Sequence, residues 1–228
     1  MTSRPSPSLA LAPEDADHEA LVDAAAKCRA CSLYARATHV VFGEGPVPAQ
    51  LMLVGEQPGD QEDRSGRPFV GPAGNLLDEL LAEADIPRGE VYVTNAVKHF
   101  KWEPRGKRRI HAKPNGTEVH ACHGWLEREI GLVAPQVIVC LGATAAQALL
   151  GRDFRLTKSR GVLLDRAGKG GVLATYHPSA LLRMRARDEE EYLRERDAVV
   201  RDLVTAASGI RVRPRGRRST RTAHHAAH

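Results

Sequence analysis

No apolar run in the 228-residue chain approaches the roughly 20 residues that cross a bilayer as a helix, which argues against a membrane span. The N-terminus also lacks the long apolar core of a secretory leader. Met1-Thr2-Ser3-Arg4-Pro5-Ser6-Pro7-Ser8 is soon followed by Glu14, Asp15 and Asp17. A cytoplasmic, nucleoid-associated location is therefore expected. No internal repeat is visible, which sets aside repeat architectures. Acid is missing from one end: residues 211–228 hold Arg211, Arg213, Arg215, Arg217, Arg218 and Arg221 and no carboxylate side chain. Without those six arginines the net charge of +5 becomes −1. The body is thus nearly neutral, and any affinity for a polyanion must come from a local patch. Cysteine is scarce as well, and its four copies in a reducing compartment favour metal or cluster ligation over disulfides.

Hydrophobic residues at 42% and charged residues at 27% describe a chain able to bury a core. Residues 1–16, rich in Pro and Ser, read as a disordered N-terminal segment, 17–210 as one domain, and 211–228 as a disordered basic tail. Within the domain short apolar runs alternate with helical patterns. Leu51–Val54, Val91–Thr94, Val137–Val139 and Val172–Thr175 predict strands. Asn75–Leu81, Val119–Ile130, Ala143–Leu150 and Glu189–Ala207 predict helices. The expected fold class is α/β, a three-layer α/β/α arrangement around a mostly parallel four-stranded sheet. Ligands of such sheets bind beyond the carboxyl ends of the strands.

Three of those ends carry polar motifs. Gly55-Glu56-Gln57-Pro58-Gly59-Asp60 follows the first strand, a tight turn with carboxylates at Glu56 and Asp60. Asn95 follows the second. Beyond it, Lys98, Lys101, Arg105, Lys107, Arg108, Arg109 and Lys113 face the single acid Glu103. This density suits a phosphate backbone, although a solvated basic loop reads the same way. His111 ends the run Lys107-Arg108-Arg109-Ile110-His111, and its flanking cations are expected to keep the imidazole neutral and nucleophilic. His177-Pro178-Ser179 follows the fourth strand, with Pro178 placed to open a helix. The cysteines form Cys28-x2-Cys31, then Cys122, then Cys140. Four thiolates fit a tetrahedral zinc or a [4Fe–4S] cluster, and Cys140 also reads as a core residue of its apolar strand.

Together these residues resemble the iron–sulfur uracil-DNA glycosylases of family 4, over roughly residues 20–205. Gly55–Gly59 matches their first motif, His177–Ser179 their second, and the cysteines their cluster ligands. Gln57 and the full Lys107–His111 sequence resemble the UdgX branch, whose added loop contains Lys-Arg-Arg-Ile-His. The resemblance implies a [4Fe–4S] cofactor on Cys28, Cys31, Cys122 and Cys140. It also implies uracil-containing DNA as substrate, single-stranded DNA favoured, free uracil as product and a monomeric protein. Phe69 is then expected against the base face, and Asn95 on uracil N3–H and O4, a pattern cytosine reverses. His177 is expected to stabilise charge developing on O2, and Glu56 the sugar cation. Gln57, Asp60, Arg109 and Ser179 are expected to bind substrate. His111 is expected to capture the deoxyribose C1′ covalently, making the protein a single-use trap. The alternatives are an ordinary turnover family 4 glycosylase, a zinc-stapled nucleic-acid-binding module and an electron-transfer protein.

Overall fold

The apolar runs pair into a sheet because each is too short for a helix and buried on both faces. The computed structural model describes residues 5–210. The basic tail expected over 211–228 lies outside the described residues. In chain order the elements are α1 (His18–Ala26), β1 (Leu51–Gly55), α2 (Asp60–Ser65), α3 (Pro72–Glu83), β2 (Val91–Asn95), β3 (Trp102–Arg105) and β4 (Arg108–His111). There follow α4 (Gly116–Val133), β5 (Val137–Leu141), α5 (Ala143–Leu150), α6 (Leu156–Ser159), β6 (Leu164–Asp165), β7 (Gly171–Thr175), α7 (Pro178–Arg185) and α8 (Glu189–Ser208).

The main sheet has the order β2-β1-β5-β7-β6. Four strands are parallel, as expected. The fifth, β6, adds an antiparallel edge of two residues, Leu164 on Val172 and Asp165 on Gly171. A pair this short leaves no periodicity in the sequence to read. Strand alternation divides the core. Leu51, Leu53, Val137, Val139 and Leu141 pack with α3, α7 and α8 on one face. Met52, Val54, Ile138 and Cys140 pack with α4 and α5 on the other. A third cluster joins α1, Leu33, Phe42 and Trp125 beside α4.

Two segments differ from expectation. From Pro5 onward the N-terminus is seated, where disorder was expected over 1–16. Ser6 Oγ donates to the Ala121 carbonyl (3.1 Å) and accepts the Gly124 N–H (3.0 Å). Gly124 makes this docking possible, since a Cβ there would collide with Leu9. The basic segment is not a free loop either. It forms the hairpin β3–β4, with Trp102 opposite His111 and Arg105 opposite Arg108 around Gly106, whose φ of 59° suits glycine.

Candidate active site

The ends of β1, β2, β5 and β7 open together into a cavity of about 750 Å³ lined by Glu56, Phe69, Asn95, His111, Thr144 and His177 among others. Three of these ends were anticipated. The fourth, Gly142-Ala143-Thr144 after β5, was passed over because a Gly-Ala-Thr turn has no distinctive chemistry.

Asn95 is 3% exposed at the end of β2. Its side-chain amide makes no hydrogen bond to a described residue, so donor and acceptor are both left for a ligand. Its backbone is fixed from behind. Lys98 Nζ donates to the Asn95 carbonyl (2.7 Å) and Thr94 Oγ1 (2.6 Å), and pairs with Glu129. Glu129 in turn accepts from Tyr92 Oη (3.0 Å), Thr94 Oγ1 (2.9 Å) and Gly43 N–H (3.0 Å), so the buried charges are paired and bonded. Gly55 leaves room in front: a Cβ there would press on Asn95 Oδ1 and lie 2.8 Å from Phe69 Cζ. Phe69 adopts a φ of 56°, and Gly74 admits its carbonyl where any side chain would clash. The Phe69 ring stacks on His177 with centroids 6.2 Å apart.

His177 caps α7. Its Nδ1 accepts the Ser179 N–H at 3.1 Å, which leaves Nε2 to carry the proton. Burial, reinforced by Arg183 and His111, holds its pKa down to about 4, so the ring is neutral at pH 7. Ser179 Oγ accepts from Arg183 (3.3 Å).

Glu56 Oε1 lies 3.5 Å from His111 Nε2, and Glu56 Oε2 accepts a short hydrogen bond from Thr144 Oγ1. The His111 side chain is 49% exposed, with Phe100 6.1 Å from its ring. Its pKa is lowered first by partial burial and then by Arg183 of α7, while Glu56 opposes. The neutral imidazole was expected, but its cause differs: the adjacent Lys107, Arg108 and Arg109 are not what lowers it. Arg109 instead binds Asp60 and donates to Asp63 Oδ2 (2.6 Å) and Thr38 Oγ1 (3.1 Å), pinning β4 to α2. Asp60 and Arg109 are thus spent on each other, not turned toward a substrate.

Gln57 is likewise occupied. Its Nε2 donates to the carbonyls of Lys101 (3.2 Å) and Ala112 (3.0 Å), while Oε1 accepts the Lys101 N–H (3.0 Å). Those residues flank the two strands of the hairpin. Gln57 therefore clamps the base of the hairpin and sets where His111 enters the cavity, a positioning role in addition to its place in the cavity lining.

A profile described as the uracil DNA glycosylase superfamily matches residues 42–203. The type-4 uracil-DNA glycosylase of Thermotoga maritima is 42% identical over 186 residues, 81% of this chain and 90% of its own length. That of Archaeoglobus fulgidus is 40% identical over 172 residues, covering 72% and 82%. That of Pyrobaculum aerophilum is 38% identical over 163 residues, covering 68% and 80%. The chain belongs to the uracil-DNA glycosylase superfamily, in its type-4 group.

The cysteines of this type-4 glycosylase do not assemble as a set of four. Cys28 and Cys122 share the cluster around Trp125, with Cys31 at its margin, and Trp125 Nε1 lies 3.2 Å from Cys28 Sγ. The three thiols feel one another electrostatically, and burial pushes Cys122 up to about 12. Cys140 belongs to the opposite set. It sits mid-strand in β5, paired with Val54 and Ala174, fully buried among Met52, Ile138 and Val172. The charged group felt there is Arg166. Strand alternation aims it into the sheet core, so the expected four-cysteine ligand set does not fit. Among the described residues no three His, Cys, Asp or Glu donors converge tightly enough to hold a single ion.

Proposed function

We propose that this glycosylase excises uracil from DNA and then captures the resulting deoxyribose on His111. The carrying observation is the hairpin-borne imidazole, held beside Glu56 at the mouth of a cavity that also contains Asn95 and His177. Uracil enters the cavity against Phe69. The free Asn95 amide accepts from N3–H and donates to O4, which selects against cytosine. The C1′–N1 bond breaks with its electron pair leaving on the base, and His177 Nε2–H donates to O2 as that oxygen gains charge. Glu56 stabilises the sugar cation. His111 then gives its lone pair to C1′, and its N–H proton passes to Glu56, leaving a neutral alkyl-imidazole. An imidazole held in place outcompetes water because effective concentrations of oriented groups reach about 10⁵ M or more.

Single-stranded uracil DNA is the favoured substrate, since the base is already free of a partner and unstacking costs less. The protein acts as a monomer, once per lesion. Cys28, Cys31 and Cys122, which share one pocket, are the residues that would hold the [4Fe–4S] cluster implied by the resemblance, and it would supply a structural staple between the Cys28–Cys31 segment and α4.

Incubation with a uracil-containing single-stranded oligonucleotide, followed by hot SDS electrophoresis and tandem mass spectrometry, tests the reading. The expected product is a one-to-one complex with the deoxyribose remnant on His111. His111→Ser should form no adduct, while Glu56 can still direct water to C1′ and allow uracil release. Free uracil from wild type without an adduct establishes the turnover alternative. An adduct on Lys107 that needs borohydride would falsify nucleophilic capture by His111.

A further inference from the structure

Loss of the base leaves a sugar cation with two competing captors, the His111 imidazole and water. Either forms a new bond to C1′, from nitrogen or from oxygen, and either must give up a proton. Glu56 is the carboxylate against His111, so the disposition of its two oxygens decides which captor is served. Oε1 lies 3.5 Å from His111 Nε2, while Oε2 accepts from Thr144 Oγ1. Thr144 is 6% exposed, in the first turn of α5 directly after β5. Among the described residues its hydroxyl donates only to Glu56. The turn that carries it is fixed on two sides. Gly142 N–H donates to the Thr175 carbonyl at 2.8 Å, tying the turn to β7. A Cβ on Gly142, whose φ is 91°, would come 3.3 Å from His177 Cβ, so the turn also sits tightly on the second motif. The terminal torsion of an unrestrained glutamate is soft. A donor on a rigid turn removes that freedom, and the oxygen it holds is not offered to water.

We infer that Thr144 is a positioning residue that steers the sugar cation to His111 and away from water, by pinning Glu56 Oε2 and leaving Oε1 to take the imidazole proton. The inference rests on the capture reading proposed above. Without the Thr144 hydroxyl the carboxylate turns, its alignment with the imidazole is lost, and an oxygen becomes free to take a proton from water at C1′.

The test compares the full-length chain as wild type, Thr144→Val, Thr144→Ala and Thr144→Ser, each with an excess of a uracil-containing single-stranded oligonucleotide. Free uracil and SDS-stable complex are counted per protein molecule over time. Wild type should release one uracil for each adduct formed. Thr144→Val keeps the side-chain shape without the hydroxyl, and Thr144→Ala removes the methyl as well. In both, capture should slow on the order of tenfold or more, as the loss of a hydrogen bond to a charged group implies. Uracil release should then exceed adduct and continue past one per protein. Thr144→Ser restores the hydroxyl and should return the ratio to that of wild type, a response that packing alone does not give. A ratio of one uracil per adduct in Thr144→Val and Thr144→Ala overturns the assignment and leaves capture by His111 standing. Equal slowing or loss of release and capture, restored by serine, overturns it by placing Thr144 in bond cleavage. Free uracil from wild type with no adduct overturns the capture reading and this assignment with it.

Discussion

Gln57 lines the cavity, as its place in the motif implies, and carries a second task that the sequence does not show. Its place in the Gly55–Gly59 turn, directly after a strand, marked it as part of the site. Sequence adjacency to Glu56 then suggested contact with substrate. The structure directs its amide at the hairpin, using both its donor and its acceptor on backbone groups more than forty residues away. Such bonds depend on tertiary approach and leave no local trace. Gln57→Ala removes all three. A displaced reacting group costs about 100-fold in rate for about 1 Å. Capture by His111 should therefore slow on that order, whereas uracil release, which uses Glu56, Asn95 and His177, should fall much less. Parallel assays of free uracil and SDS-stable complex check this, and an equal loss in both would assign Gln57 to substrate binding after all.

The strands and longer helices were legible because burial on both faces, or on one helical stripe, writes a hydrophobic period into the sequence. The hairpin β3–β4 was not. Trp102-Glu103-Pro104-Arg105 and Arg108-Arg109-Ile110-His111 are largely exposed and have no core-facing alternation, so charge density dominated their reading. What holds the hairpin is external: Gln57 at its base, Trp102 donating to the Arg36 carbonyl (2.9 Å), and Arg109 on Asp60 and Asp63. Cys140 illustrates the converse. Its apolar run predicts a strand and allows a core place for it, but a run with no polar alternation does not say which face it takes, and the resemblance implies a ligand instead. Arg109→Ala leaves Asp63, a fully buried carboxylate, without its guanidinium partner and frees β4 from α2. Residues 102–111 should then exchange amide hydrogens faster, and capture should weaken with the attachment site still at His111. Hydrogen-exchange mass spectrometry with adduct mapping reads both, and unchanged exchange would remove Arg109 from the support of the hairpin.

Across the molecule, three distant elements set the charge state of the site: β1 with Glu56, β4 with His111, and α7 with His177 and Arg183. Burial lowers both histidines from their ordinary value of 6.5, and Arg183 pushes each in the same direction. In the unfolded chain His177 takes up a proton near pH 6.5, but in the native protein only near pH 4. Between those values the unfolded state binds more protons. Stability from this group is therefore complete above pH 6.5, is lost as pH falls through the window, and changes no further below about 4. Protonation would also break the bond that His177 Nδ1 accepts from Ser179. For His111 the consequence is chemical: the protonated ring has no lone pair to give, so adduct formation should fail with acid, at a pH below the ordinary 6.5 of a histidine. Arg183→Ala removes the like charge facing both rings and raises both native pKa values, so the acid limb of adduct formation should move to higher pH. Single-turnover capture, followed by SDS electrophoresis from pH 4 to 8, gives the two profiles. Superimposable limbs would show that burial alone keeps His111 neutral and that Arg183 serves only to hold Ser179.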